Sequence, residues 1–175
     1  LSDKFWSGDV LKAKFRGKLI EIAETFYDDL DLPKQALKDI TFTGSLANYN
    51  YTDFSDIDLH LIVDFEKIDS DNRMLVGSFF KAVSSNWNRT HTISMKNHEV
   101  EIYVQEAAEA HFSTGVYSLL SNAWITKPKR KGTEVDTKLV NKKVNSFMEM
   151  IEDAQDLYTD KFYEQANDSS RKLMK

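Results

Sequence analysis

The chain lacks cysteine altogether and contains only two prolines and six glycines among its 175 residues. Without cysteine, disulfide bonds and thiolate metal ligands are excluded, so any metal must bind through oxygen or imidazole nitrogen. No apolar run approaches the roughly 18 residues that a bilayer-spanning helix needs, and the first residues are too polar for a secretory signal. We therefore expect a soluble, cytoplasmic protein without membrane partners.

Positive charge is also scarce. The chain has 23 Lys and Arg against 28 Asp and Glu, for a net charge of -5. Because duplex DNA usually requires a broad basic surface, this balance argues against duplex DNA as a partner. One basic stretch contains Lys127, Lys129 and Arg130. It is either a solvated loop or a patch that holds a phosphate or an acceptor.

Periodicity of the apolar residues indicates the elements of the fold. Steps of three and four predict an amphipathic helix over residues 10–30, and alternation predicts a clear strand over residues 57–65. A short strand is predicted over residues 39–43, before the Gly-Ser break. Later segments predict a helix from about residue 70 to 87, strands at 90–95 and 99–105, a hairpin at 115–127, and a long helix from about 135 to 162.

These segments predict an α+β fold, with a mixed sheet flanked by helices and a long C-terminal helix packed against the sheet. No linker or internal repeat divides the sequence. We expect a single domain over residues 1–175, with its core at about 36–105 and a C-terminal hairpin and helix at about 112–175.

Two aspartates at the start of the clearest strand form the main candidate site. Because alternate residues share a face of a strand, Asp56, Asp58 and His60 point to one side and the aliphatic residues between them to the other. Neighbouring carboxylates repel unless a cation lies between them, and Mg²⁺ prefers carboxylate oxygen. Glu101 is the candidate third acid if its strand pairs beside this one. The alternative is a strand with two solvent-facing aspartates.

A Gly-Ser turn precedes the acidic strand. Gly44 lets the backbone approach a triphosphate closely, and backbone N–H groups together with the Ser45 hydroxyl can bond phosphate oxygens. In the following loop, Tyr49, Tyr51 and Phe54 either stack a base or pack the loop onto the domain.

Other polar and aromatic residues are weaker candidates. His60 either touches a phosphate or is a hydrogen-bonding neighbour of the acids. The other three histidines are predicted to be surface or turn residues, because their spacing matches no metal-ligand pattern. They are His91, His98 and His111. Trp6 is expected to hold the N-terminal helix.

The chain contains Gly44-Ser45, then about ten further residues, then Ser55-Asp56-Ile57-Asp58 and a later strand acid. This arrangement resembles the signature of the DNA polymerase beta-like nucleotidyltransferase superfamily. The chain looks closest to small stand-alone members of the phage type, for which the location would be the host cytosol. The resemblance covers residues 39–105 and implies a nucleotidyltransferase fold with a two-metal mechanism. It implies Asp56, Asp58 and Glu101 as catalytic ligands of Mg²⁺ or Mn²⁺. The expected nucleotide-binding residues are Gly44, Ser45, Asn48, Ser55, His60, Lys127 and Lys129.

The activity that the resemblance implies is transfer of a nucleoside monophosphate from an NTP, with ATP the first candidate, to a hydroxyl acceptor with release of pyrophosphate. The acceptor can be a small molecule, a protein or an RNA end. Many minimal members carry an Arg soon after the Gly-Ser pair, whereas residues 46–54 here contain no basic residue. The alternatives are a catalytically inactive binding or assembly protein of the same fold, and a nucleotide second-messenger synthase.

Overall fold

A computed structural model describes residues 1–130 and 137–173 of the chain. The chain divides into two compact units, Leu1–Arg130 and Lys131–Lys175. The first contains a mixed six-stranded sheet with helices, which confirms the predicted α+β class. In the part of the chain that is described, no helix combines the length and the apolarity needed to cross a bilayer.

The first unit opens with a small hairpin that the sequence analysis did not predict. The elements then follow the predicted order, with several boundaries shifted by a few residues. The predicted strand over residues 90–95 is reduced to two residues, because helix α2 continues to Thr90. The elements are β1 (Trp6–Ser7), β2 (Val10–Leu11), α1 (Ala13–Asp28), β3 (Leu37–Thr43), β4 (Ile57–Val63), α2 (Arg73–Thr90), β5 (Ser94–Met95), β6 (His98–Glu106), β7 (Val116–Ser118) and β8 (Ala123–Thr126).

The six-stranded sheet has the order β5-β6-β4-β3-β7-β8. Strands β4 and β6 are parallel and the other neighbours are antiparallel. Helix α2 connects the two parallel strands, as a parallel pair requires a crossover. Lys96 and Asn97 join β5 to β6 with φ values of 53° and 69°. Positive φ at both positions is typical of the two-residue turn that matches the twist of a hairpin.

The two faces of the sheet differ in chemistry. On one face, apolar residues of β3, β4 and β6 pack with the apolar sides of α1 and α2 in a single core. Burying each large side chain of this kind contributes roughly 1.5–3 kcal/mol. The opposite face carries the polar residues of the same strands. The central buried residues of the core face are Ile40, Phe42, Ile57, Leu59, Leu61, Val100 and Ile102.

The second unit contains helices α3 (Thr137–Thr159) and α4 (Tyr163–Leu173), which pack against each other through the buried residues Ala154 and Ala166. The predicted long helix corresponds to α3, whereas the second helix, α4, was not predicted. Lys161 has a φ of 67°. Its N–H bonds to the Tyr158 carbonyl at 3.1 Å, and the Phe162 N–H bonds to Leu157 at 2.8 Å.

This pair of bonds is the Schellman pattern that ends a helix. It usually involves glycine, so a lysine in that position gave no sequence signal. The predicted helix start near Val135 lies outside the described residues.

Candidate active site

Asp58 and Glu101 lie side by side on the polar face of the sheet. They are register partners in the parallel pair β4–β6, while Asp58 is paired with Thr43 across the antiparallel pair β3–β4. Partners in adjacent strands share a face and their backbones lie about 4.8 Å apart. The structure therefore brings together two of the three candidate acids, and Asp56 precedes β4, close enough for its charge to raise the pKa of Asp58.

The three carboxylates interact electrostatically. Burial first, and then the charges of Glu101 and Asp56, raise the pKa of Asp58 to about 6. A carboxyl group is harder to ionise in partly desolvated surroundings, and neighbouring negative charges add to that cost. The site thus concentrates negative charge that a bound cation would offset.

Gly44 lies against the Asp58 carboxylate. It has a φ of 76°, and a Cβ built at this position would lie 1.8 Å from Asp58 Oδ2. A residue with a side chain would be strained by the positive φ and would also collide with the acid. Gly44 is therefore required both for the turn and for the close contact between the turn and Asp58.

Ser45 begins a short 3-10 turn, Ser45–Ala47. Its hydroxyl donates to the Ser55 hydroxyl at 2.7 Å, and Ser55 Oγ also accepts from the Thr52 N–H at 2.9 Å. These bonds connect the two ends of the loop between the Gly-Ser turn and the acidic strand. Both serine hydroxyls are thus engaged in hydrogen bonds within the loop.

The side chain of Asn48 is also used within the protein. Its amide donates to Thr114 Oγ1 at 2.6 Å, and its oxygen accepts from the Tyr49 N–H at 2.8 Å. Asn48 thus ties the loop to the segment before β7.

His98 is buried, with 2% of its surface exposed, so the prediction of a surface or turn position was wrong. Its Nδ1 lies 2.5 Å from the Ser55 carbonyl oxygen, a geometry in which Nδ1–H donates, and its ring meets Phe5 edge-on at 5.2 Å. His98 thereby fixes the residue immediately before Asp56. The alternation of residues along β6 could have predicted this burial, because His98 points to the same face of the strand as the buried Val100 and Ile102.

Trp6 holds the other end of the loop. Its indole N–H donates to the Leu46 carbonyl at 2.9 Å, and its ring stacks on Trp124 with centroids 4.8 Å apart. Trp6 lies in β1 and contacts the Gly-Ser turn region, rather than acting only on the N-terminal helix as expected. No local pattern in the sequence indicates this contact, which joins positions 40 residues apart.

Glu101 is fixed from two directions. Tyr103 donates its hydroxyl to Glu101 Oε2 at 2.5 Å. The Asn88 side chain donates to the Ile102 carbonyl at 3.0 Å and accepts from the Ile102 N–H at 2.9 Å, so it satisfies both backbone groups of the residue between Glu101 and Tyr103. The sequence analysis did not identify Asn88, because this residue of α2 meets the backbone of β6 only once the chain has folded.

His60 lies on the polar face two residues after Asp58, where it pairs in register with Tyr103. The two rings are tilted, with centroids 5.2 Å apart. Burial lowers the pKa of His60, a hydrogen bond with Gln105 opposes this, and His111 lowers the pKa further.

The basic stretch lies beside the loop that follows Ser45. The Arg130 guanidinium stacks over the Tyr49 ring at 4.9 Å. Lys127 forms an ion pair with Asp9, which raises its pKa. Lys129 is exposed. Tyr49 is thus packed by a cation, whereas Tyr51 and Phe54 remain exposed.

The donor set suits a hard cation, because three carboxylates share one site and the pKa of Asp58 is raised first by burial and then by the charges of the other two. Among the residues that the structure describes, no three His, Asp or Glu side chains already stand as a set of metal ligands. One Glu101 oxygen is instead engaged by Tyr103. Binding of a cation would therefore require the acids to adjust.

No family model matches the chain, and neither the curated proteins nor the solved structures include a significant match.

Proposed function

We propose that this protein is a metal-dependent nucleotidyltransferase with the DNA polymerase beta-like fold. The observation that carries the proposal is the pairing of Asp58 with Glu101, in a cluster with Asp56 and in contact with the Gly44 turn. A purely structural role would leave two or three carboxylates crowded together with no benefit to stability. A site that binds a cation and a polyphosphate would account both for the clustered carboxylates and for the Gly44 turn in contact with them.

In the proposed reaction, the oxygen of an acceptor hydroxyl forms a bond to the α-phosphorus of an NTP. The bond from that phosphorus to the bridging oxygen breaks, and its electron pair leaves with pyrophosphate. The hydroxyl proton passes to Glu101 and then to solvent. Backbone N–H groups at Gly44 and Ser45 bind the triphosphate, so the rate comes mainly from positioning and charge neutralisation.

Asp56, Asp58 and Glu101 would hold Mg²⁺ or Mn²⁺. Bound there, such ions would supply positive charge that offsets the charge of the reacting phosphate oxygens. Without such ions, the three acids would repel the triphosphate that Gly44 and Ser45 are placed to bind.

The experiment is incubation of the purified protein with each α-labelled NTP, Mg²⁺ or Mn²⁺, and a panel of hydroxyl acceptors. D58N removes a ligand while keeping the side-chain shape. E24Q is the matched control, because Glu24 is an exposed acid on α1, remote in sequence from the site. We expect release of pyrophosphate by the wild type and by E24Q, and at least about a hundredfold less by D58N.

The same assay separates the alternatives. Products formed from NTP alone, without any added acceptor, would favour a second-messenger synthase. An absence of NTP binding and turnover with either metal would contradict the proposal and favour a catalytically inactive binding or assembly protein.

A further inference from the structure

The second unit buries very little of its apolar surface. Among its residues whose burial the structure describes, only Ala154 and Ala166 are buried, at the contact between α3 and α4. Units as small as Lys131–Lys175 usually depend on disulfides, metals or association for their stability. The chain has no cysteine for a disulfide. The exposed apolar residues of this unit therefore need a surface to pack against.

Helix α3 carries a row of apolar residues that α4 is too short to cover. Helix α4 has 11 residues and α3 has 23, so at a rise of about 1.5 Å per residue α4 can cover no more than half of α3. Steps of three and four residues place the row on one face of the helix. This α3 stripe consists of Val140, Val144, Phe147, Met148 and Ile151, each between 38% and 51% exposed.

A groove between α3 and α4 continues the α3 stripe. The groove has a volume of about 840 Å³, and Ile151 belongs both to the stripe and to the lining of the groove. Tyr158 of α3 and Tyr163 of α4 also line it, although they are 66% and 55% exposed. The stripe and the groove thus form one apolar surface that spans both helices, as in one half of a four-helix bundle.

The charges of α3 are divided between its two halves. Lysines occur only before Phe147 and acids only after it. The charged residues are Lys138, Lys142, Lys143, Glu149, Glu152, Asp153 and Asp156. This order is the reverse of the one that the helix dipole favours, which has acids in the first turn and bases in the last. A neighbouring helix that runs in the opposite direction with the same charge order would offset it.

Helix α4 does not provide this compensation. It begins at Tyr163, shortly after α3 ends, and its first turn contains Glu164 but no lysine or arginine. The acidic half of α3 therefore still lacks a basic helix beside it among the described residues of this unit.

We infer that the α3 stripe and the adjoining groove form the interface of a homodimer, in which α3 packs antiparallel to α3 of a second copy of the chain. This pairing places the lysine half of each helix beside the acidic half of the other. A two-fold axis makes both contacts equivalent, so α3 is complementary to itself. The two hairpins of α3 and α4 then form a four-helix bundle. The inference does not depend on the proposed nucleotidyl transfer.

The position of the α3 stripe sets the register of the pairing. In an antiparallel pair, residues at equal distances on either side of the centre face each other across the interface. Centred on the stripe, the pairing sets Val144 opposite Phe147 of the second copy, and Val140 opposite Ile151 of the second copy. Each of these layers contains one large and one smaller apolar side chain, which favours close packing.

The first test measures the mass of the whole wild-type chain by sedimentation velocity over a range of micromolar concentrations. We expect a dimer. F147D places a charge in the stripe and should raise the dissociation constant of the dimer at least about a hundredfold. S146D is the matched control, because Ser146 is exposed on the opposite side of α3. It should change the dissociation constant less than about threefold. Far-UV circular dichroism checks that both variants keep their helices.

The second test determines the direction of the pairing. Because the chain has no cysteine, V140C and I151C each introduce a single thiol. We expect a disulfide-linked dimer when the two variants are mixed and oxidised. Neither variant should form one alone, because equal positions of the two copies would lie about 16 Å apart along the helix axis.

Three results would overturn the inference. A wild type that stays monomeric at every concentration would favour cover of the stripe by another part of the same chain. Equal weakening of the dimer by F147D and S146D would place the interface elsewhere. Disulfide-linked dimers formed by V140C alone and by I151C alone would show parallel pairing, which sets like charges side by side.

Discussion

Gly44 and Asp58 are in such close contact that a Cβ at Gly44 would lie 1.8 Å from Asp58 Oδ2. The contact joins the turn proposed to bind phosphate to an acid proposed to bind the cation. A change at either residue should therefore affect the other, which allows the arrangement to be tested by stability as well as by activity.

We expect G44A to abolish activity and to lower the free energy of unfolding by about 2 kcal/mol. Strain at positive φ accounts for part of the loss, and collision with Asp58 for the rest. G17A is the matched control: Gly17 is exposed on α1 with no atom within 4 Å of an added Cβ. It should stabilise the protein by about 0.5–1 kcal/mol, as measured by urea unfolding, without changing activity.

A double-mutant cycle isolates the collision. In the D58A background the obstructing carboxylate is absent, so G44A should cost clearly less than in the wild type. Equal costs in both backgrounds would show that the contact between Gly44 and Asp58 has no energetic consequence.

Asp58 should make the stability of the metal-free protein depend on pH. Its pKa is raised from 3.8 to about 6. Between these values the folded protein keeps a proton that the unfolded chain has released, so the free energy of unfolding falls as pH rises. Above pH 6 the full penalty, about 2–3 kcal/mol, is present.

We therefore expect D58N to be more stable than the wild type by about that amount at pH 7, and equally stable near pH 4. Urea unfolding in EDTA across this range measures the difference. A D58N variant that is less stable than the wild type at pH 7 would identify Asp58 as a structural residue.

Tyr103 should act as a positioning residue for Glu101. Y103F removes the hydroxyl that donates to Glu101 at 2.5 Å and leaves the ring on the sheet. We expect kcat to fall about tenfold, with the KM for ATP and the free energy of unfolding nearly unchanged. Y117F is a useful comparison, because Tyr117 also donates its hydroxyl, to Asn122 at 3.1 Å, in the hairpin of β7 and β8. A similar loss of kcat in both variants would argue against a specific role for Tyr103.

His98 should be needed for stability and for the position of Asp56. H98A leaves the Ser55 carbonyl without its donor and opens a cavity beside Phe5, so we expect a loss of about 2–4 kcal/mol. H98N places an amide donor near the position of Nδ1 and should restore part of this loss. Urea unfolding and metal affinity, followed by Mn²⁺ binding, measure the two effects. H91A, at an exposed position, should lower the free energy of unfolding by less than about 1 kcal/mol. A loss as large as that of H98A would contradict the role of the buried His98 ring.

Local pattern alone predicted much of the first unit. Alternation along residues 57–63 and 99–105 assigns Asp58 and Glu101 to polar faces because a strand repeats every two residues. The Gly-Ser break was recognisable for the same reason, since backbone conformation there depends on neighbouring residues. The boundaries of α2 and β5 were less accurate, because tertiary contacts decide how far a helix continues.

Contacts between distant segments could not be deduced in this way. Trp6 bonds to Leu46, His98 to Ser55, and Asn88 to Ile102, and each bond depends on elements that meet only after folding. The start of α4 was not predicted, because Lys161 in the preceding turn takes a backbone conformation that usually selects glycine.

The amino-acid sequence by itself determined the types of acid available, their strand faces, and the glycine turn before them. Only the tertiary structure decided that β6 lies parallel to β4 with Glu101 opposite Asp58, and that Gly44 presses against the Asp58 carboxylate. The physical reason is that side-chain periodicity is a local property of the backbone, whereas strand pairing and register depend on how the connecting helix packs onto the shared core.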